Sequence, residues 1–156
     1  MKTSSYIPEG SRTVTPYIVV NDAAKAIEFY KQAFGAKETM CIPAPGDKIG
    51  HAEIQIGDSA IMLADEFPEW DAQGPQTIGG SPVSLMIYVP DCDAIVEKAV
   101  SLGATVKMPV ADQFYGDRCG NIVDPFGHKW CIATHKEDVA PEELQKRAAA
   151  MFAGAT

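Results

Sequence analysis

Apolar positions along this chain change period twice, and then the same change occurs again. Val14 to Val20 is apolar and β-branched. In the following NDAAKAIEFYKQAFGAK, Ala23, Ile27, Tyr30 and Phe34 fall on one helical face, after which period-two alternation returns. The spacing predicts a strand, a helix and then three short strands at about 37–42, 50–56 and 59–64. In the second half Val83 to Val89 is again strand-like, and Ile95, Ala99 and Leu102 share a helical face in PDCDAIVEKAVSLGATV. Three further strands are expected at about 105–109, 117–123 and 129–134. Asp22 and Asp91 stand where an N-cap carboxylate accepts first-turn amides, while Gly35 and Gly103 suit the left-handed position that ends a helix. Gly57-Asp58 reads as a hairpin connection and Asp124-Pro125-Phe126-Gly127 as a turn.

These two stretches form an internal repeat. Asp22 aligns with Asp91, Ile27 with Ile95, Gly35 with Gly103, Gly50 with Gly116 and Ala64 with Ala133, at offsets of 66 to 69 residues. The pattern predicts an α+β fold of two tandem βαβββ modules, 14–64 and 83–135, preceded by an arm at 1–13. The connecting segment 65–82, DEFPEWDAQGPQTIGGSP, is too rich in Pro and Gly for a regular element and reads as a linker or lid. In the tail 136–156, Pro141 opens a helix whose Leu144, Ala148, Met151 and Phe152 form an apolar stripe suited to docking on a neighbour.

Composition narrows the function classes. The 156 residues are 46% apolar and 22% charged, which suits a soluble globular protein with a real core. A net charge of -8 with scattered lysines disfavours nucleic acid and anionic lipid as partners. The N-terminal MKTSSYIPEGSRTV has no secretory apolar stretch and no run is long enough to span a membrane, so a cytoplasmic protein is expected. Cys41, Cys92, Cys119 and Cys131 show no CxxC spacing, and reduced thiols are the default.

The repeat, the segment Pro16-Tyr17-Ile18-Val19-Val20-Asn21-Asp22, and the stretch from Gly116-Asp117-Arg118 through Asp124-Pro125-Phe126-Gly127-His128-Lys129-Trp130 carry a resemblance. Over roughly Val14 to His135 the chain resembles the vicinal-oxygen-chelate (glyoxalase, bleomycin-resistance and extradiol dioxygenase) superfamily, in its PhnB-like branch. The resemblance implies that each module forms half of a curved sheet around a cavity, often completed by dimerisation, so a homodimer is expected. It also implies a divalent metal held by one residue from the first and one from the last strand of each module. Those positions fall on Thr15, Met62, Ser84 and Cys131. None is a His or a carboxylate and only Cys131 is able to ligate, so no metal and no other cofactor is expected.

Strand alternation sorts the remaining candidates, because successive side chains point to opposite sides. Ala52, Ile54 and Ile56 are placed against the helix, which leaves His51, Glu53 and Gln55 on the cavity side. Asp117, Cys119 and Asn121 are read as their counterparts, and Thr15, Tyr17, Met62, Ser84, Met86, Tyr88 and Cys131 complete a lining of mixed polarity. His51 beside Glu53 has the make-up of a general base with an orienting carboxylate, with Asp117 as a third catalytic candidate; the plainer reading is solvated or ligand-contacting groups. His128 is expected to be structural and His135 a surface residue, while Arg118 either pairs with an acid such as Asp124, the favoured reading, or reaches into the pocket toward an anionic ligand. Cys119 and Cys131 are expected to be packing residues without an activating cation.

Two functions follow. The first is a binding protein for a small, aromatic or planar ligand held between the half-sheets without the usual metal. The alternative is a lyase- or isomerase-type enzyme of the same superfamily, metal-independent or using a displaced metal site.

Overall fold

A computed structural model describes residues 5–155; the first four residues of the expected N-terminal arm and Thr156 of the tail lie outside the described residues. The chain divides into two compact units: residues up to Ser81 together with Pro125–Gly127, and Pro82–Asp124 together with His128 onward. Each is an α+β unit built on a four-stranded mixed sheet.

In the first unit, β1 (Tyr17–Val20) leads into α1 (Ala23–Phe34), followed by β2 (Lys37–Ala44), β3 (Lys48–Ile56) and β4 (Ser59–Asp65). The sheet order is β1-β4-β3-β2, with β1 parallel to β4 and the other pairs antiparallel. Asp22 caps α1 by accepting from the Lys25 amide at 3.1 Å, and Gly35 closes it at φ 68, a left-handed conformation that costs glycine nothing. The buried face of the helix, Ala23, Ala26, Ile27, Phe29, Tyr30, Ala33 and Phe34, lies against Ile18, Val20, Ala52, Ile54, Ile61 and Leu63 of the sheet. Phe126 joins this core edge-on to Phe29, with ring centroids 6.3 Å apart.

After β4 the expected linker is more regular than its Pro and Gly content implies. It contains a 3-10 turn, Pro68–Trp70, and a short helix, α2 (Pro75–Ile78). Glu66 pins it, accepting from the Gly74 amide at 3.2 Å and from the Thr77 hydroxyl at 2.6 Å. Proline here opens helical turns, since its fixed φ suits a first helical position, and so does not exclude them.

The second unit repeats the plan with β5 (Ser84–Tyr88), α3 (Cys92–Ser101), β6 (Thr105–Asp112), β7 (Asp117–Val123) and β8 (Lys129–His135), in sheet order β5-β8-β7-β6. Its helix buries Cys92, Val96 and Ala99. Ile95 and Leu102, expected on the same face as Ala99, flank this stripe half-buried, and Cys92 and Val96 extend it. Trp130 is fully buried, its indole donating to Asp124 at 2.9 Å. Pro43 and Pro109 both sit in the outer strands β2 and β6, where a missing ladder donor is tolerated and sheet-to-sheet pairing is discouraged. The tail forms α4 (Pro141–Ala153), which buries no residue and leaves Met151 and Phe152 exposed. Among the described residues no helix is long and apolar enough to cross a membrane.

One polar device recurs in both units. Asp65, at the end of β4, is buried and accepts from the Ala23 amide of α1 at 2.8 Å and from the Ile49 amide of β3 at 2.7 Å. In the second unit Thr134 of β8 accepts from the Cys92 amide of α3 at 3.0 Å and donates to the Val89 carbonyl at 2.8 Å. Replacing Asp65 with Ala leaves two amides without an acceptor, one of them buried, and is expected to cost about 2 to 4 kcal/mol in urea unfolding. Asp65→Asn, which keeps one acceptor, should recover roughly half of that loss; equal stability of all three proteins would refute the capping role.

Candidate functional site

The alternation places one face of each sheet against its helix and leaves the other open. In the first unit the register aligns Tyr17, Met62, Glu53 and Met40 in one row across β1, β4, β3 and β2. Ile42 stands opposite His51 in the neighbouring row. Tyr17 is 52% exposed, and Met40 and Ile42 are similarly open. His51 and Glu53 are about a quarter exposed. They form a hydrogen-bonded line: Tyr17 Oη lies 2.9 Å from His51 Nδ1, and His51 Nε2 lies 3.1 Å from Glu53 Oε1. A carboxylate only accepts, so His51 Nε2 is the donor to Glu53, and in the neutral ring the Nδ1 lone pair accepts the Tyr17 proton. Burial pushes the Tyr17 phenol above its ordinary pKa, keeping that proton in place. Gln55 turns away from the row, donating to the Gly57 carbonyl at 3.3 Å.

The open face of the second unit carries Met86, Cys131, Asn121 and Met108 in one row. Ser84 pairs with Lys129 at the end of β5, in register with neither Cys131 nor Asn121. Tyr88 is 62% exposed, and its hydroxyl donates to Asp117 at 3.0 Å, which raises the phenol pKa. Asp117 is buried and also accepts from His135 Nδ1 at 2.7 Å, while His135 Nε2 reaches Asp138 at 2.8 Å. His135 is a surface residue, as expected, with its side chain about half exposed, and with an acid on each ring nitrogen, Asp117 first and Asp138 second, its pKa is raised. Only the direct cross-strand pairing of Asp117 with His135 reveals this, and sequence does not display that register.

The residue-by-residue match between the modules also shifts. Glu53 faces Met62 and Asn121 faces Cys131, so the counterpart of Glu53 is Asn121 and not Cys119. Aligning Gly50 with Gly116 caused the slip. Gly116 sits before β7 at φ 100, whereas Gly50 is inside β3. A two-residue shift preserves the side, but Cys119, expected to line the cavity, is fully buried, with the Tyr115 hydroxyl 3.4 Å from its sulfur. Arg118 pairs with Asp93 at 2.7 Å and Asp112 at 3.2 Å; the expected partner, Asp124, instead accepts from the His128 amide and the Trp130 indole. A cavity of about 530 Å³ lies beside these groups, lined by Asp112, Gln113, Gly116, Asp117, Arg118, Lys136 and Glu137.

A family model described as the Glyoxalase/Bleomycin resistance protein/Dioxygenase superfamily matches residues 12–132. The chain belongs to that superfamily. It is 39% identical over 135 residues to an uncharacterized protein of Mycobacterium bovis, covering 85% of this chain and 89% of that one. Its fold is similar to the X-ray structure of an Arabidopsis thaliana gene product, with TM-score 0.63, 26% identity and coverage of 78% and 98%. It is likewise similar to a PhnB protein from Bacillus cereus, with TM-score 0.62, 16% identity and coverage of 79% and 99%.

Superfamily members commonly hold a divalent metal, and the corresponding side chains here do not suit one. Thr15 precedes β1, Met62 offers a thioether and Ser84 a neutral hydroxyl. Burial, with Cys119 beside it, pushes the Cys131 thiol up to about 11, and this one sulfur, with no imidazole or carboxylate at the other three positions, does not make a metal site. Among the described residues no group of three or more His, Cys, Asp or Glu side chains is arranged to hold an ion.

The His135 arrangement has a pH signature. A folded-state pKa raised above 6.5 contributes stability that is fully present below the unfolded value and is lost as pH rises through the folded one. Thermal unfolding of His135→Gln against the parent should therefore show a larger deficit at pH 6 than at pH 9. A deficit that stays level or grows toward pH 9 contradicts the double carboxylate clamp.

Proposed function

We propose that this chain, a member of the PhnB-like branch, binds a small planar or aromatic molecule on its open sheet faces without the superfamily's divalent metal. The observation that carries this reading is the make-up of those faces. Large side chains such as Tyr17, Met40, Met86 and Tyr88 stand exposed beside fixed hydrogen-bonding groups. Exposed apolar side chains grouped around a few oriented polar ones are what a small-ligand site requires, and polarizable thioethers adapt to flat surfaces. The donor set at Thr15, Met62, Ser84 and Cys131 supports a metal-free mode of binding.

A second reading, a lyase- or isomerase-type enzyme, draws on one observation, the Tyr17–His51–Glu53 hydrogen-bond line, which has the layout of a proton-transfer group with its orienting acid. Asp117 is less suited to such work, since both of its oxygens already accept hydrogen bonds. The working form is proposed to be a homodimer in the cytoplasm. The open outer strands and the exposed Met151 and Phe152 of α4 support pairing, and four free thiols suit a reducing compartment.

Protein purified without chelator should contain well under one equivalent of divalent metal per chain by elemental analysis, and should bind planar aromatic probes equally well before and after chelator treatment. Stoichiometric metal whose removal abolishes binding or a measurable turnover would overturn the metal-free reading. To separate binder from enzyme, His51→Ala is compared with the parent: a turnover that disappears while ligand affinity persists favours the enzyme.

A further inference from the structure

The polarity of the Tyr17 hydroxyl is fixed by its neighbours, and this restricts what the first unit's face can recognise. Glu53 accepts from His51 Nε2 at 3.1 Å, which leaves Nδ1 as the acceptor, and Tyr17 spends its single proton on that acceptor at 2.9 Å. The phenol oxygen is left with lone pairs only. Among the described residues Glu53 Oε2 accepts no hydrogen bond, so the face offers two kinds of acceptor and no free donor along the line. No Lys or Arg stands in the Tyr17–Met62–Glu53–Met40 row. Lys37 lies opposite Gln55, further along β3 at the outer strand β2. Tyr17, half exposed and tilted 45° to the His51 ring, adds an aromatic surface, and Met40, Met62 and Ile42 supply apolar contact.

We infer that the Tyr17–His51–Glu53 face selects a planar ligand bearing a cationic N–H donor, such as a protonated amine on an aromatic frame, and rejects anionic ligands. The inference rests on the binding reading above and supplies its ligand class. The ammonium donates to the Tyr17 oxygen and is balanced by the Glu53 carboxylate, while the ring lies on the thioethers. An anion meets only lone pairs and a negative charge. The chain's net charge of -8 works in the same direction during encounter.

Three probes sharing one ring system test this by calorimetric titration at pH 8, above the usual imidazole range: 2-naphthylmethylamine, its N,N,N-trimethyl derivative and 2-naphthylacetate. The amine should bind about tenfold or more tighter than either of the others, the size expected of a charge-assisted hydrogen bond. Tyr17→Phe, at an exposed position that the core does not need, should bring the amine and the trimethyl compound to within about twofold of each other. Glu53→Gln should weaken both cations and leave the carboxylate unchanged or improved. A carboxylate that binds as tightly as the amine overturns the ligand class, and so does an amine preference that survives Tyr17→Phe. If none of the three binds, the binding reading fails along with it, whereas a preference for the carboxylate sinks the ligand class alone.

Discussion

Each unit depends on a polar cap delivered from the end of its last strand to the first turn of its helix. Without a partner the first-turn amides of a helix are orphaned, and burying one costs as much as a lost hydrogen bond. Asp65 and Thr134 supply that partner for Ala23 and Cys92, while Asp22 and Asp91 serve Lys25 and Ala94 as ordinary N-caps. Asp22, Ala23, Lys25 and Asp65 each precede their counterparts Asp91, Cys92, Ala94 and Thr134 by the same number of residues, so the cap repeats in strict register. Tying the last strand to the helix that follows the first strand also fixes the parallel pairings β1 with β4 and β5 with β8. A one-residue slip would carry every side chain to the opposite face. The cap therefore decides which residues are core and which are open, and the chemistry of the open faces depends on it.

From that common frame the two units have diverged in the open row. The first carries Tyr17, Met62, Glu53 and Met40, and the second Met86, Cys131, Asn121 and Met108. Methionine at the β2 and β6 end is shared, and the carboxylate of Glu53 is replaced by the amide of Asn121. The second unit gathers its charge elsewhere, at Asp117 and His135 on the first rung of the β7–β8 ladder, joined by Tyr88. Both faces end with a tyrosine hydroxyl whose proton is committed, once to an imidazole and once to a carboxylate.

Most of the architecture was legible in the sequence because it rests on local periodicity. The strand–helix–three-strand order, both capping aspartates and the open side of β3 and β7 all follow from spacing alone. β1 and β5 begin later than their apolar runs, at Tyr17 and Ser84, because β-branched composition outlasts the ladder that needs a partner strand. The site was legible only by face. Which residues on a face touch is set by register, and register across a repeat with uneven loops is a tertiary property. Hence the spacing puts Tyr17 on the open side, while its bond to His51 is visible only in the register. His135 lies at the surface, as its polar neighbours Lys136, Glu137 and Asp138 imply, but no spacing shows that Asp138 and the cross-strand Asp117 hold its ring. Arg118 found Asp93 on α3 for the same reason, since no sequence pattern announces which helix turn will face which strand.

The loss of a metal-binding donor set and the polarity of the first unit's face bear on each other. A divalent cation would serve substrates rich in oxygen anions, drawing them by charge. Here the position on β4 has become a thioether and the one on β8 a protonated thiol, neither of which attracts an anion. The fixed charge left beside Tyr17 is the carboxylate of Glu53, and His51 turns its only acceptor toward the phenol. Removing a cation from such a face while leaving the carboxylate reverses the sign of what it favours. On the proposed reading, the apolar residues around the line would meet a ligand of the opposite charge from the one a metal would hold, within the same folded frame.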